Sequence, residues 1–318
     1  MTDTPLRRCY VAGHRGLVGS AIVRALAEAG YPEPIVRTRA ELDLMNQADV
    51  AKFFRDEKPE VVFFAAAKVG GITANNTWRW DFLHENLVIQ SNVLGSALEN
   101  DVDRVVFLGS SCIYPRLAPQ PIKEEHLLTG ELEPTNEPYA IAKIAGVKMV
   151  ESANRQFGKK WVSLMPTNLY GPNDNFDLTS SHVLPALIRK FHEAKEARAA
   201  GRDAVVTLWG HGTARREFLH VDDAANACLV MMESGATGLF NVGYGSDVTI
   251  RELAETVARV VEYDGPVEWD TSKPDGTPRK LMDSSLIREK GWEPRIPLEE
   301  GIAATYRWYL AEYAGTAA

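Results

Sequence analysis

Four apolar residues, Cys9 to Ala12, run straight into Gly13-His14-Arg15-Gly16-Leu17-Val18-Gly19. The residues that follow repeat with a helical period, with Val18, Ile22, Ala25 and Leu26 on one face and Gly30 at the C-terminal end. A strand that turns on glycines into a helix at the start of the chain is the first half of a βαβ unit. Glycine at these positions permits a tight turn, lets backbone N–H groups approach a pyrophosphate, and lets the helix pack closely on the strand with the phosphates at its positive end. A plain glycine-rich turn has the same spacing; the placement after a strand and before a helix separates the two. Gly13, Arg15, Gly16, Leu17, Val18 and Gly19 are therefore expected to contact a dinucleotide.

The alternation continues along the chain. Apolar runs at Ile35-Val36, Val61 to Ala67, Val105 to Leu108 and Val162 to Met165 are separated by helical stretches. The first of these stretches is opened by Asn46 as N-cap with Val50, Phe53 and Phe54 behind it; the later two run from about Asp81 to Asn100 and from Tyr139 to Phe157. Parallel strands need helical crossovers, so this order predicts an α/β fold, a doubly wound parallel (Rossmann) sheet with helices on both faces. After Pro166 the order loosens. A helix near His182 to Lys195 is followed by a strand Val205 to Trp209, then by Phe218-Leu219 leading into a helix capped by Asp222. A strand Leu239 to Val242 and a helix opened by Thr249, with Glu252 completing a capping box, come next. Residues 1–170 are expected to form the dinucleotide domain, with 217–243 returning to it, and residues 171–216 and 244–318 a smaller C-terminal α/β substrate lobe.

Charge limits the partners. The chain has 35 Lys and Arg against 43 Asp and Glu, a net of −8, which opposes broad attraction to nucleic acid or an anionic membrane and obliges an anionic ligand to meet local cations. Cys9, Cys112 and Cys228 are scattered and form no Cys-x-x-Cys, so neither a disulfide framework nor a metal site is expected, and a reducing compartment is implied. The longest apolar run, Val61 to Ala67, falls far short of the ~20 residues of a membrane span. The Met1-Thr2-Asp3-Thr4 start has no signal-peptide pattern, and the expected location is cytoplasmic.

Which dinucleotide is bound is read after the second apolar run, where an acidic residue would take the ribose hydroxyls of NAD. Here stand Arg37, Thr38 and Arg39, with Arg15 on the glycine turn. Guanidinium groups pair with a 2′-phosphate through parallel hydrogen bonds, so the cofactor predicted is NADP(H), with Arg15 and Arg39 as the pair. Arg37 is either a third cation there or a solvated strand end.

Tyr139 and Lys143 share a helix face at i, i+4, and Ser110, Ser111 and Cys112 close the strand before them. A phenol is a poor acid or base near neutrality unless its anion is stabilised, which a neighbouring ammonium does, and a serine hydroxyl can bond the same carbonyl oxygen. Ser110, Tyr139 and Lys143 are accordingly candidate catalytic residues for carbonyl chemistry.

Six blocks now stand out: Gly13 to Ser20, Ala66-Ala67-Lys68-Val69-Gly70-Gly71-Ile72, Leu108-Gly109-Ser110-Ser111-Cys112-Ile113-Tyr114-Pro115, Pro166-Thr167-Asn168-Leu169-Tyr170-Gly171-Pro172, Arg216-Glu217-Phe218-Leu219-His220-Val221-Asp222-Asp223 and Lys273-Pro274-Asp275-Gly276-Thr277-Pro278. They run nearly end to end, and the chain resembles the extended short-chain dehydrogenase/reductases that act on nucleotide sugars, above all the branch that works on GDP-4-keto-6-deoxymannose. The resemblance implies one site doing two reactions, epimerisation at C3 and C5 of the keto sugar and then hydride transfer from NADPH to C4. It implies Cys112 and His182 as the proton-moving pair. Leu108, Gly109, Ser110, Lys143, Pro166, Asn168, Leu169 and His182 would join the glycine turn around the cofactor. Lys190, Trp209, Arg216 and Asp275 would hold the nucleotide sugar, with Lys190 standing where the family carries arginine. A homodimer through the helices around 81–100 and 139–157 is implied as well. Cys9 and Cys228 are read as packing residues.

Three other readings share the scaffold. A 4-epimerase would retain NAD, against which Arg15 and Arg39 argue. A simple 4-ketoreductase has no use for the Cys112 and His182 pair. A redox-sensing module that binds NADP without chemistry could lose the Tyr139 and Lys143 pair, which is intact here.

Overall fold

The computed structural model describes residues 7–273 and 276–314. Its strands are β1 (Cys9–Ala12), β2 (Val61–Phe64), β3 (Arg104–Leu108), β4 (Val162–Pro166), β5 (Asn168–Tyr170), β6 (Val206–Trp209), β7 (Arg215–Arg216), β8 (Phe218–His220), β9 (Gly238–Val242), β10 (Val248–Thr249), β11 (Val267–Asp270) and β12 (Arg279–Lys280). The helices are α1 (Leu17–Glu28), α2 (Gln47–Glu57), α3 (Ile72–Thr77), α4 (Arg79–Glu99), α5 (Glu137–Phe157), α6 (Val183–Ala199), α7 (Val221–Ser234), α8 (Ile250–Val261), α9 (Ser285–Arg288) and α10 (Leu298–Glu312).

Five strands form one sheet in the order β1-β2-β3-β4-β9, every neighbouring pair parallel. Both faces are covered, as a parallel sheet requires. Successive residues of each strand point to opposite faces. Cys9, Val11, Val61 and Phe63 pack with Ile22 and Leu26 of α1 and Ala225 and Leu229 of α7. Tyr10, Ala12, Val62 and Phe64 pack with Phe53 and Phe54 of α2, Val93 and Leu94 of α4 and Val150 of α5. A third core, in which Leu184, Ile188 and Phe191 of α6 meet Leu253 and Val257 of α8 and Tyr309 of α10, lies under the smaller sheets. Those are a three-stranded sheet, β10-β7-β12, and two pairs, β11-β6 and β5-β8.

Local signals were legible where they were self-contained. Asn46 caps α2 by accepting from the amides of Ala48 and Asp49, and Thr249 and Glu252 form the expected capping box at α8. Two expectations are corrected. Ile35-Val36 is not a strand; Ile35 makes a single parallel bridge to Tyr10, because the run is two residues long and Pro34 before it has no N–H to give a ladder. Helix α7 is capped not by Asp222 but by His220, whose ring nitrogen accepts from the Asp222 amide at 3.3 Å. Asp222 instead occupies the first turn and pairs with Arg24 of α1.

Candidate active site

Two of the three glycines of the turn leave no room for a side chain. Gly13 has φ +87°, and a Cβ there would lie 2.9 Å from the backbone of Ala66 beside β2; a Cβ on Gly19 would lie 2.1 Å from the Gly13 carbonyl oxygen. Gly16, at the N-cap of α1, gives the helix no side-chain cap. The first amides of α1 therefore keep their donors and their positive end toward the turn, the sign and donor chemistry that a pyrophosphate needs.

Beside it the three arginines separate. Arg37 is held by Glu57 at 2.5 Å and lies 5.7 Å over the Phe53 ring, a structural role. Arg39 sits on the turn that Glu41 closes by accepting from the Thr38 amide and hydroxyl at 2.7 and 2.8 Å, and its side chain is 76% exposed with only a loose 3.9 Å contact to Asp43. Arg15 is exposed, with no ion pair among the described residues. Arg39→Ala is expected to weaken NADPH binding about tenfold to a hundredfold, the loss of a charge-assisted hydrogen bond, with little effect on NADH. Equal losses for both, measured by fluorescence titration, would remove the 2′-phosphate assignment.

At the C-terminal edge of the same sheet the chain brings the carbonyl-chemistry candidates together. Ser110 follows β3 and accepts the Cys112 amide at 3.2 Å, turning the chain into the short 3-10 segment Ser111–Ile113. Tyr139, in the first turn of α5, is buried, hydrogen-bonds Ser110, and packs with Phe82, Ala74 and Cys112. Lys143, one turn on, is 3% exposed and donates to the Leu108 carbonyl at 2.7 Å, its Nζ 5.9 Å from the Tyr139 ring centroid. Gly109 donates its amide to Leu164 at 2.9 Å, and a Cβ there would meet the Met165 side chain. Past Pro166, Asn168 donates to the Glu217 carbonyl at 2.8 Å, and half-buried Leu169 continues β5.

One expectation about this cluster is reversed. Lys143 was expected to lower the Tyr139 phenol; instead burial dominates and holds the phenol well above its ordinary range, with the nearby Cys112 adding in the same direction and the Ser110 hydrogen bond opposing. The same burial lowers Lys143 to about 7. In a dry pocket both groups favour their neutral forms, and desolvation outweighs the attraction the spacing alone implied. The sign for stability follows. The folded-state value lies below the unfolded value of about 10.4, so between these the unfolded chain binds more protons and stability rises with pH, the burial cost standing in full below that window. Lys143→Met is expected to raise the melting temperature of the ligand-free protein at about pH 6, and the gain to shrink toward about pH 9. A pH-independent gain would contradict this.

His182 is the N-cap of α6. The residue is exposed as a whole, yet protein around the imidazole desolvates it enough to lower its pKa. The Gly70-Gly71 turn stands between His182 and Cys112. A Cβ on Gly70 would meet Ala74 and Phe82, the residues on which Cys112 packs, while the Gly71 amide donates to the Ser180 carbonyl at 2.9 Å and its Cβ would lie 2.9 Å from the Ser181 carbonyl. That close backbone approach is a physical use for the paired glycines.

Lys190, two turns along α6 from His182, donates to the Thr207 carbonyl at 3.0 Å, and burial lowers its pKa. Trp209, on the same face of β6 as Thr207, is 60% exposed, with the Lys273 ammonium 5.8 Å from its ring centroid. Arg216 stands apart on β7. Its neighbour Arg215 is neutralised by Asp247 at 2.7 Å, whereas the Arg216 guanidinium donates to the Arg215 carbonyl and meets no carboxylate among the described residues. A half-buried, unneutralised guanidinium is suited to a phosphate. Asp275 lies outside the described residues.

Residues 9–243 match the NAD dependent epimerase/dehydratase family. The chain belongs to that family. GDP-L-fucose synthase 1 of Arabidopsis thaliana is 58% identical to it over 305 residues, 95% of this chain and 93% of the relative. The GDP-L-fucose synthase of Escherichia coli strain K12 is 54% identical over 314 residues, 96% and 97% of the two chains. Among solved structures, the GDP-mannoheptose C4 reductase of Campylobacter jejuni with NADP bound is 39% identical, with a TM-score of 0.88 over 96% of this chain and 98% of that one.

Two residues of this epimerase/dehydratase chain are prominent in the site although their sequence context gave them no role. Glu217 is fully buried where β5 and β8 meet the C-terminal segments; its carboxyl accepts from the amides of Gly245 and Met282 at 2.7 and 3.1 Å, and its carbonyl takes the Asn168 amide. An acidic residue between Arg216 and Phe218 was a signal available in the sequence. Asn136 donates from Nδ2 to the Cys112 sulfur at 3.4 Å, a contact across 24 positions that no local pattern announces. No group of His, Cys, Asp or Glu able to hold a metal, and no helix long and apolar enough to cross a membrane, occurs among the described residues.

Proposed function

We propose that the protein converts GDP-4-keto-6-deoxy-D-mannose to GDP-L-fucose, inverting C3 and C5 and then reducing the C4 ketone in a single cleft. One observation carries the reading: a thiol, Cys112, packs on the same buried phenol, Tyr139, that with Ser110 faces carbonyl chemistry. A plain ketoreductase has no use for a proton-moving group there. The names of relatives 54% and 58% identical to this chain support the same substrate.

Protons beside a ketone are acidic because the enolate oxygen can be stabilised, and the Ser110 and Tyr139 hydroxyls are the donors for it. Cys112 takes the proton and His182 returns one to the opposite face. The glycine turn, Arg15, Arg39, Lys143 and the ends of β3 and β4 would hold NADPH, which would supply the hydride for C4. Tyr139, kept neutral by burial, is then the acid that protonates the C4 oxygen. Arg216 and Lys190 meet the diphosphate, and Trp209 offers a flat exposed face to the nucleotide. In this reading residues 1–170 with 217–243 carry the cofactor, and 171–216 with 244–318 the sugar nucleotide. It includes a homodimer through α4 and α5, which leave a groove lined by Leu94, Leu98, Met149 and Phe157.

The test is turnover of GDP-4-keto-6-deoxymannose with NADPH in deuterium oxide, followed by NMR of the product sugar. Deuterium at C3 and C5 of a reduced, inverted product is expected. Reduction without deuterium would leave a C4 ketoreductase, and no turnover would overturn the substrate.

A further inference from the structure

The N-terminus of α5 supplies a group that the reading above does not use. Asn136 occupies the N-cap, where an asparagine oxygen ordinarily accepts from the first helix amides. Asn46 does so at the N-cap of α2, accepting from both Ala48 and Asp49. Asn136 makes no such bond. Its Nδ2 donates instead to the Cys112 sulfur at 3.4 Å, and its Oδ1 is buried without a protein partner. The backbone at the helix start is held separately, the Asn136 amide donating to the Glu133 carbonyl at 3.2 Å and the Ala140 amide to the Asn136 carbonyl at 3.0 Å. Of two asparagines at the same helical position, one stabilises its helix and the other is turned toward the thiol.

We propose that Asn136 is a positioning residue for Cys112: its amide N–H aims the sulfur and stabilises the thiolate from which the sugar proton is abstracted. A thiolate is acceptor only, so the N–H is the half of the amide that serves it, and a hydrogen bond to the charged form favours that form. Tyr139 of α5 is the titratable group in contact with the thiol, with Lys143 one turn further on; Ala74 of α3 and Phe82 of α4 bring no charge. The proposal rests on Cys112 being the epimerisation base.

Asn136→Asp and Asn136→Ser separate this role from a structural one, because Asp and Ser are as good as Asn at an N-cap and a merely structural Asn136 would tolerate both. Two readouts are taken on the NADPH-bound protein. The first is the rate of iodoacetamide alkylation against pH. It reports Cys112, since burial pushes the Cys9 and Cys228 thiols up to about 12; Cys112→Ser is the blank. The second is deuterium exchange at the sugar, set against reduction of a ready-epimerised GDP-4-keto sugar. With Asp the alkylation profile is expected to move to higher pH, and in both variants exchange is expected to fall about tenfold to a hundredfold with reduction within a few-fold of wild type. An unmoved alkylation profile, or equal loss of both reactions, overturns the proposal. If Cys112→Ser itself leaves exchange intact, the reading of Cys112 as base fails, while the alkylation profile still decides whether Asn136 holds the thiol.

Discussion

Tyr139→Phe is expected to lower reduction on the order of 10³-fold while leaving NADPH affinity unchanged, the range a positioned general acid supplies. The substitution removes one hydroxyl and nothing else. The ring stays edge-on against Phe82 at 6.3 Å, so packing and folding should survive. The hydroxyl is the group that can give a proton to the C4 oxygen, and burial keeps that proton in place through neutral pH. Ser110 remains as a donor to the same oxygen, so exchange at C3 and C5 should fall less than reduction does, by the ~10²-fold typical of one lost oxyanion donor. Single-turnover kinetics with a ready-epimerised keto sugar, and NADPH titration, check both halves. A loss of only about tenfold in reduction would mean that the C4 oxygen takes its proton elsewhere.

Cys112→Ser should have the opposite profile. Sulfur to oxygen preserves the size of the side chain and its place beside Asn136, but a serine hydroxyl is far too weak an acid to be ionised near neutrality, so deuterium exchange at the sugar is expected to fall about 10²- to 10⁴-fold. Reduction of a ready-epimerised substrate should stay within a few-fold of wild type, because Tyr139, Ser110 and Lys143 are untouched. The two variants together form a double dissociation, one losing chiefly reduction and the other chiefly exchange. If Cys112→Ser leaves exchange at the wild-type rate, Cys112 is a packing residue like Cys9 and Cys228.

Much of this was legible in the chain because the controlling interactions are short. Gly13, Gly16 and Gly19 fall within seven residues, and Gly13 and Gly19 must be glycine because a Cβ would clash with backbone on the neighbouring strand or a few positions away. Asn46 and the Thr249 and Glu252 pair reach only their own helix starts. Where a signal depended on a partner distant in the chain, the residues alone were ambiguous. Ile35 and Val36 have strand propensity, but the ladder they needed was cut by Pro34 to one bridge on Tyr10. Arg37, open in the sequence between a third cation and a solvated strand end, is neither: Glu57 holds it, while Arg39 keeps only a loose contact to Asp43. His220 displaced Asp222 as a cap because its ring, buried beside Tyr170, reaches the amide first.

By itself the sequence determined the doubly wound sheet, the glycine cradle and the residue types available for carbonyl chemistry, since periodicity, turn geometry and i, i+4 spacing are all set within a few residues. Only the tertiary structure decided their electrical state and their partners. Spacing placed Lys143 where an ammonium would favour a phenolate, and burial reversed both shifts; Asn136 had no role in the sequence reading, and the fold turned it onto the Cys112 sulfur. Desolvation and long-range contacts are properties of the packed whole, and no window of the chain contains them.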